Sequence, residues 1–172
     1  MGNLATPESL VLRWNEVLRD PSLQDLPYKI ELNAWGKIEM SPASNRHARL
    51  QGELAGELRR QLSGTALAEC SILTRIGIRV PDVAWASPRF MQDFGEITPY
   101  TRAPEICIEI LSPSNVQVEI VDKTAAYLSA GATEVWLASE EGRIRYFNAS
   151  GERTGSVFPV SLTLPPPIPG KP

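Results

Sequence analysis

Long apolar runs are missing from this 172-residue chain. None approaches the roughly 18 to 20 residues needed to cross a bilayer, and residues 1–6 offer neither the basic stretch nor the apolar core of a signal peptide. A cytoplasmic protein with no membrane association is expected. Histidine is represented by His47 alone, and the two cysteines, Cys70 and Cys107, stand singly inside apolar segments. Zinc sites and thiol redox pairs are therefore disfavoured, and buried, inert thiols are expected. The chain has no GxSxG elbow, no GxxxxGK[ST] loop and no GxGxxG turn, so it lacks the signatures of α/β-hydrolase serine enzymes, P-loop NTPases and dinucleotide-binding enzymes. Excess positive charge is missing too: the net charge is −3 and the pI about 5.3. A protein that coats nucleic acid by charge alone is excluded, although a bound divalent cation would change the field at an acidic site and keep a nucleic-acid substrate open.

The 42% hydrophobic content suffices for one continuous core without disulfides, so a single domain over residues 1–163 is expected, followed by an extended or disordered Pro-rich tail at 164–172. Thr6 followed by Pro7 and Glu8 starts a helix carrying Leu10, Val11, Trp14, Val17 and Leu18 at helical spacing. Residues 28–32 and 37–40 read as a β-hairpin. Ser44 caps a longer helix striped by Leu50, Leu54, Leu58 and Leu62, with Arg46, Arg49, Arg59 and Arg60 off the stripe. Three β-type segments follow, at 68–73, at 76–86 with a bend near Pro81, and at 105–111; residues 87–104 between the last two read as a long loop. Ser114 or Asn115 caps the next helix and Gly131 closes it. A buried strand at 134–138 and a hairpin pairing 143–147 with 156–160 complete the pattern.

Carboxylates sit where they are costly. Glu109 interrupts the apolar run Ile106-Cys107-Ile108-Glu109-Ile110-Leu111, which reads as a central strand buried on both faces. An ionised carboxylate there must be neutralised, paired with a cation such as Arg79, bound to a metal, or exposed at a strand end. Asp82 opens the neighbouring apolar strand, and two acids on adjacent strands can share one hard cation through oxygen ligands.

Set in chain order, these pieces resemble the PD-(D/E)XK nuclease superfamily, and within it the Uma-two family of putative restriction endonucleases. The resemblance rests on Tyr28 to Glu31, Gly36-Lys37-Ile38-Glu39-Met40, His47, Pro81-Asp82-Val83-Ala84, Glu109-Ile110-Leu111-Ser112-Pro113-Ser114, Lys123 to Tyr127, and Gly131-Ala132-Thr133-Glu134-Val135-Trp136. It covers residues 28–147. Two departures stand out: Leu111 occupies the place of the superfamily's Lys, and Ala138-Ser139 replaces a Val-Asp-Pro turn.

The resemblance implies an α/β fold with a restriction-endonuclease-like core of helix, three strands, helix and strand, flanked by an N-terminal helix and hairpin and a C-terminal hairpin. It implies a metal-dependent endonuclease acting on nucleic acid, with DNA as substrate, Mg2+ or Mn2+ held by Asp82 and Glu109, and action as a homodimer. A nuclease-like module without turnover, binding nucleic acid or protein, is the alternative. Lys123 is the only one of four lysines on the helix after Glu109 and takes the role of the migrated lysine; an ordinary surface pair with Glu119 is the competing reading. Glu31, Glu39 and His47 are further candidates at the edge of the site. Arg46, Arg49, Arg59 and Arg60 could steer a phosphate backbone or could form a solvated helix face.

Overall fold

The computed structural model describes residues 4–113 and 115–170. The first helix, α1 (Pro7–Arg19), starts on the Thr6 side-chain cap and buries Leu10, Trp14 and Val17. These pack with Leu32, Ile78 and Val80 against a four-stranded sheet. That sheet comprises β1 (Tyr28–Asn33), β2 (Ile38–Pro42), β4 (Ile72–Thr74) and β5 (Gly77–Arg79), in the order β2-β1-β5-β4. At the β1–β5 pairing Gly77 has a φ of +116°, and a Cβ there would sit 2.0 Å from the Leu32 carbonyl oxygen, so only glycine lets the strands approach.

The second sheet has six strands. It contains β3 (Thr65–Ala68), β6 (Val83–Ala86), β7 (Ile106–Leu111), β8 (Glu134–Ser139), β9 (Ile144–Asn148) and β10 (Gly151–Arg153), in the order β10-β9-β8-β7-β6-β3. Among the described strands of this sheet β7 and β8 alone run parallel, joined by the crossover helix α4 (Gln117–Ser129). The helix α2 (Asn45–Gln61), capped by Ser44, lies against β3, β6 and β7. Its leucines at 50, 54 and 58, with Leu62 just beyond, are buried with Val83, Trp85, Ile106 and Ile108. Each such side chain contributes about 1.5 to 3 kcal/mol. Alternation along β7 sends Cys107 to the opposite face, where Phe90, Tyr127 and Leu137 form a second core.

Several boundaries differ from the sequence expectation. The 76–86 segment is two strands in different sheets: Pro81 has no N–H to extend a ladder, and the chain crosses from β5 to β6 there. The 68–73 segment likewise divides between β3 and β4. Within the 87–104 loop stands a short helix, α3 (Pro88–Phe94), capped by Ser87 with Pro at its first position and Phe90 stacked on Phe94. The last hairpin is tight, β9 pairing with β10 rather than with residues 156–160. Val116, not Asn115, is the N-cap of α4; the Asn115 side chain accepts from the Ser112 backbone instead, and Ser114 lies outside the described residues. Leu164, the start of the expected tail, is buried in the α2 core.

Candidate active site

The site forms where the two sheets meet. Register fixes the central pair: β6 and β7 are antiparallel with Val83 opposite Ile108, so one step further sets Asp82 opposite Glu109. From the other sheet, β1 contributes Lys29 and Glu31, two residues apart and on one face. Helix α4 brings Lys123 and Tyr127, one turn apart, and the first turn of α2 brings His47.

Three buried carboxylates share one design. Each has one oxygen fixed by a neutral donor and the other turned to a cation. Asp82 Oδ2 accepts from the Ile110 backbone N–H at 2.7 Å, while Oδ1 accepts from Lys29 Nζ at 2.7 Å. Glu109 Oε1 accepts from the Tyr127 hydroxyl at 2.7 Å, and Oε2 lies 3.4 Å from Lys29 Nζ. Glu31 Oε1 accepts from the Val80 N–H at 2.8 Å, and Oε2 lies 2.8 Å from Lys123 Nζ. Lys123 also approaches Glu109 Oε1 at 3.6 Å, and Arg79 bridges Glu31 and Glu39.

The electrostatics follow from burial against pairing. Burial pushes the Asp82 carboxyl up, but His47 and Lys29 outweigh it and hold the group down at about 2. Glu31 is lowered in the same way, with Lys123 and Lys29 overcoming its burial. Burial works against both ammonium groups, yet Glu109 and Asp82 raise Lys29, and Glu109 and Glu31 raise Lys123, above the ordinary lysine value. His47 Nε2 lies 3.2 Å from Asp82 Oδ1, and that contact raises the imidazole against its burial. Burial, reinforced by Glu109 and Glu31, pushes the Tyr127 phenol well up, which keeps it a neutral donor.

The sequence candidates thus divide. Asp82, Glu109, Lys123, Glu31 and His47 come together, and Lys123 pairs with Glu31 and Glu109 rather than with Glu119. Glu39 is half-exposed and stands at the edge, paired with Arg79. The arginines point elsewhere: Arg46 donates to the Glu140 and Pro165 carbonyls, Arg49 to Pro166, and Arg60 pairs with Glu57, while Arg59 is exposed. Arg46 and Arg49 hold the C-terminal segment. Lys29 and Tyr127 were not among the candidates. The signal for Lys29 is its i,i+2 relation to Glu31 on a strand, and for Tyr127 its i,i+4 relation to Lys123 on a helix.

A groove of about 660 Å³ opens beside this cluster, lined among others by Glu31, Arg79, Glu109, Lys123 and the exposed Trp35. Asp82, 1% exposed, lies behind Lys29 and His47.

A family model described as Uma2 (Uma-two), putative restriction endonuclease, matches residues 14–170. The chain belongs to this family. The crystal structure of a protein described as a putative nuclease belonging to DUF820, from Anabaena variabilis ATCC 29413, is similar with a TM-score of 0.61 and 22% identity. The similarity covers 87% of this chain and 92% of that one and establishes a common fold. No curated protein matches the chain.

Proposed function

We propose that the chain hydrolyses phosphodiester bonds in nucleic acid, as a DNA endonuclease using Mg2+ or Mn2+, with Asp82, Glu109 and Lys123 as the reacting set. The observation that carries this reading is convergence: Asp82 Oδ1 and Glu109 Oε2 face one cation position, with Lys123 Nζ 3.6 Å from the other oxygen of Glu109. Among the described residues no cluster of three or more His, Cys, Asp or Glu side chains is arranged to hold a metal. Two carboxylates are nonetheless what Mg2+ ordinarily takes from a protein, the rest of its shell coming from water and substrate phosphate. The donor set fits a hard divalent ion, and Asp82 and Glu109 would hold it.

When bound, such an ion polarises a phosphoryl oxygen and lowers the pKa of water. The chain's own groups do the rest. Lys123, at the groove wall, offers a fixed positive charge to the developing charge on the phosphoryl group. Glu31 positions that ammonium, Tyr127 fixes the rotamer of Glu109, and His47 holds Asp82 ionised. A duplex has two strands and each chain one such cluster, so paired cleavage calls for a two-fold homodimer.

The second reading, a nuclease-like module without turnover, draws on the Lys29 contacts, because an ammonium already bridges both carboxylates. Incubation with supercoiled plasmid separates the two. Ion-dependent conversion to open-circle and linear forms is expected, with Asp82→Asn and Glu109→Gln each weakening calorimetric Mn2+ affinity by about tenfold or more. Plasmid left intact with either ion, but retarded in a gel by the protein, would establish the binding module instead.

A further inference from the structure

Lys29 stands where the proposed ion would stand. Its Nζ donates to Asp82 Oδ1 at 2.7 Å and lies 3.4 Å from Glu109 Oε2, and its side chain is only 12% exposed. A Mg2+ ion bound to those oxygens would sit about 2.1 Å from each. Ammonium and ion cannot occupy the same face of the same two carboxylates.

Charge leads to the same conclusion. The three buried carboxylates, Asp82, Glu109 and Glu31, are met by three cationic side chains, Lys29, Lys123 and Arg79. Arg79 is shared with the half-exposed Glu39 and His47 adds a contact to Asp82, so every buried acid already has a cationic partner, and a divalent cation added with Lys29 in place would crowd positive charge into a buried setting. Departure of one ammonium relieves that excess.

Of the two lysines, Lys29 makes the contacts an ion must replace, whereas Lys123 rests chiefly on Glu31. Lysine is also suited to leaving: it is a compact, strongly hydrated charge on a flexible four-carbon stem. Lys29 lies next to the first residue of β1, the half-exposed Tyr28, so its stem starts close to solvent.

We infer that Lys29 is the resident cation of the Asp82–Glu109 pair and competes with the divalent ion for it, so that metal enters only as the ammonium swings out. The inference rests on the metal-dependent reading above and adds a device that sets metal affinity. An acid pair is kept bridged by a cation without metal, and loading is coupled to the movement of one side chain.

The test measures Mn2+ binding by calorimetry and thermal unfolding with and without Mn2+, for wild type, Lys29→Met, Lys29→Gln and Lys29→Arg. Lys29→Met keeps length and loses charge; it is expected to bind Mn2+ at least about tenfold tighter than wild type and to gain a larger Mn2+-dependent rise in Tm. Lys29→Gln, whose amide keeps a donor for Asp82 should the methionine variant not fold, is expected to show the same gain. Lys29→Arg keeps the charge and should show none. Equal Mn2+ affinity in wild type and the folded neutral variants overturns the competition while leaving the metal site intact. Absence of Mn2+ binding in all the folded proteins overturns the metal-dependent reading itself, and the competition with it.

Discussion

Two buried acidic regions of this protein solve the same problem in opposite ways. Glu134, fully buried on β8, has both oxygens taken by neutral donors: Val157 N–H on Oε1, and the Trp136 indole and Ser156 hydroxyl on Oε2. Asp82, Glu109 and Glu31 each commit one oxygen to a neutral donor and present the other to a lysine. The first arrangement locks a chain segment, because every partner is held by backbone or core. The second leaves one lone-pair face of each acid to a lysine ammonium, for which a different cation can substitute. Both satisfy burial; only the second leaves room for chemistry.

The largest expected effect separates reaction from assembly within the second region. Lys123→Ala should lower plasmid cleavage by about a hundred- to a thousandfold, the cost of removing one preorganised charge from a transition state, while Mn2+ affinity changes far less. Cleavage at the wild-type rate would remove Lys123 from the reaction and leave it as a counter-ion for Glu31.

The first region should respond in stability alone. Glu134→Ala leaves an indole N–H, a backbone N–H and a hydroxyl without their acceptor, and is expected to destabilise the fold by about 1 to 3 kcal/mol in urea unfolding. Glu134→Gln keeps one acceptor oxygen and should cost less. Mn2+ affinity of either variant should match wild type; a changed affinity would show that the two regions are coupled.

The sequence carried the fold wherever one period governs a whole element. The four-residue leucine repeat of α2 and the apolar run of β7 are of this kind, and the acid inside that run pointed to Glu109. It failed where a tertiary partner decides. Helix α3 is a single short stretch whose evidence is a Ser-Pro cap and two phenylalanines. Residues 156–160 have strand-like composition, yet their backbone is held by Glu134 rather than by a ladder, and Leu164 is drawn into the core while Arg46 binds the next carbonyl. In the site, the acids were conspicuous because apolar surroundings make them costly. Lys29 was not, because a lysine on a hairpin strand looks solvated until Asp82 and Glu109 arrive from another sheet.

A third kind of buried ionisable group sharpens the contrast from its weak end. At Cys70 and Cys107 burial is the largest influence: it pushes the partly buried Cys70 thiol up to about 12 against a backbone hydrogen bond that lowers it, and, reinforced by Cys70, Glu109 and Glu105, it pushes Cys107 well above its ordinary value. Both are therefore neutral thiols around neutral pH. The sign of the linkage follows. Between pH 9 and 12 the unfolded chain releases the Cys70 proton while the folded chain keeps it, so this group leaves stability unchanged below pH 9 and lowers it as pH rises beyond. At pH 8 a thiol-reactive disulfide such as Ellman's reagent should leave both cysteines of the folded protein unmodified and should titrate two thiols once the chain is unfolded in guanidinium. Rapid labelling of one thiol in the native protein at pH 8 would assign reactivity to the partly exposed Cys70, and labelling of both would mean that the core around Cys107 opens, so that burial does not give an inert group in this molecule.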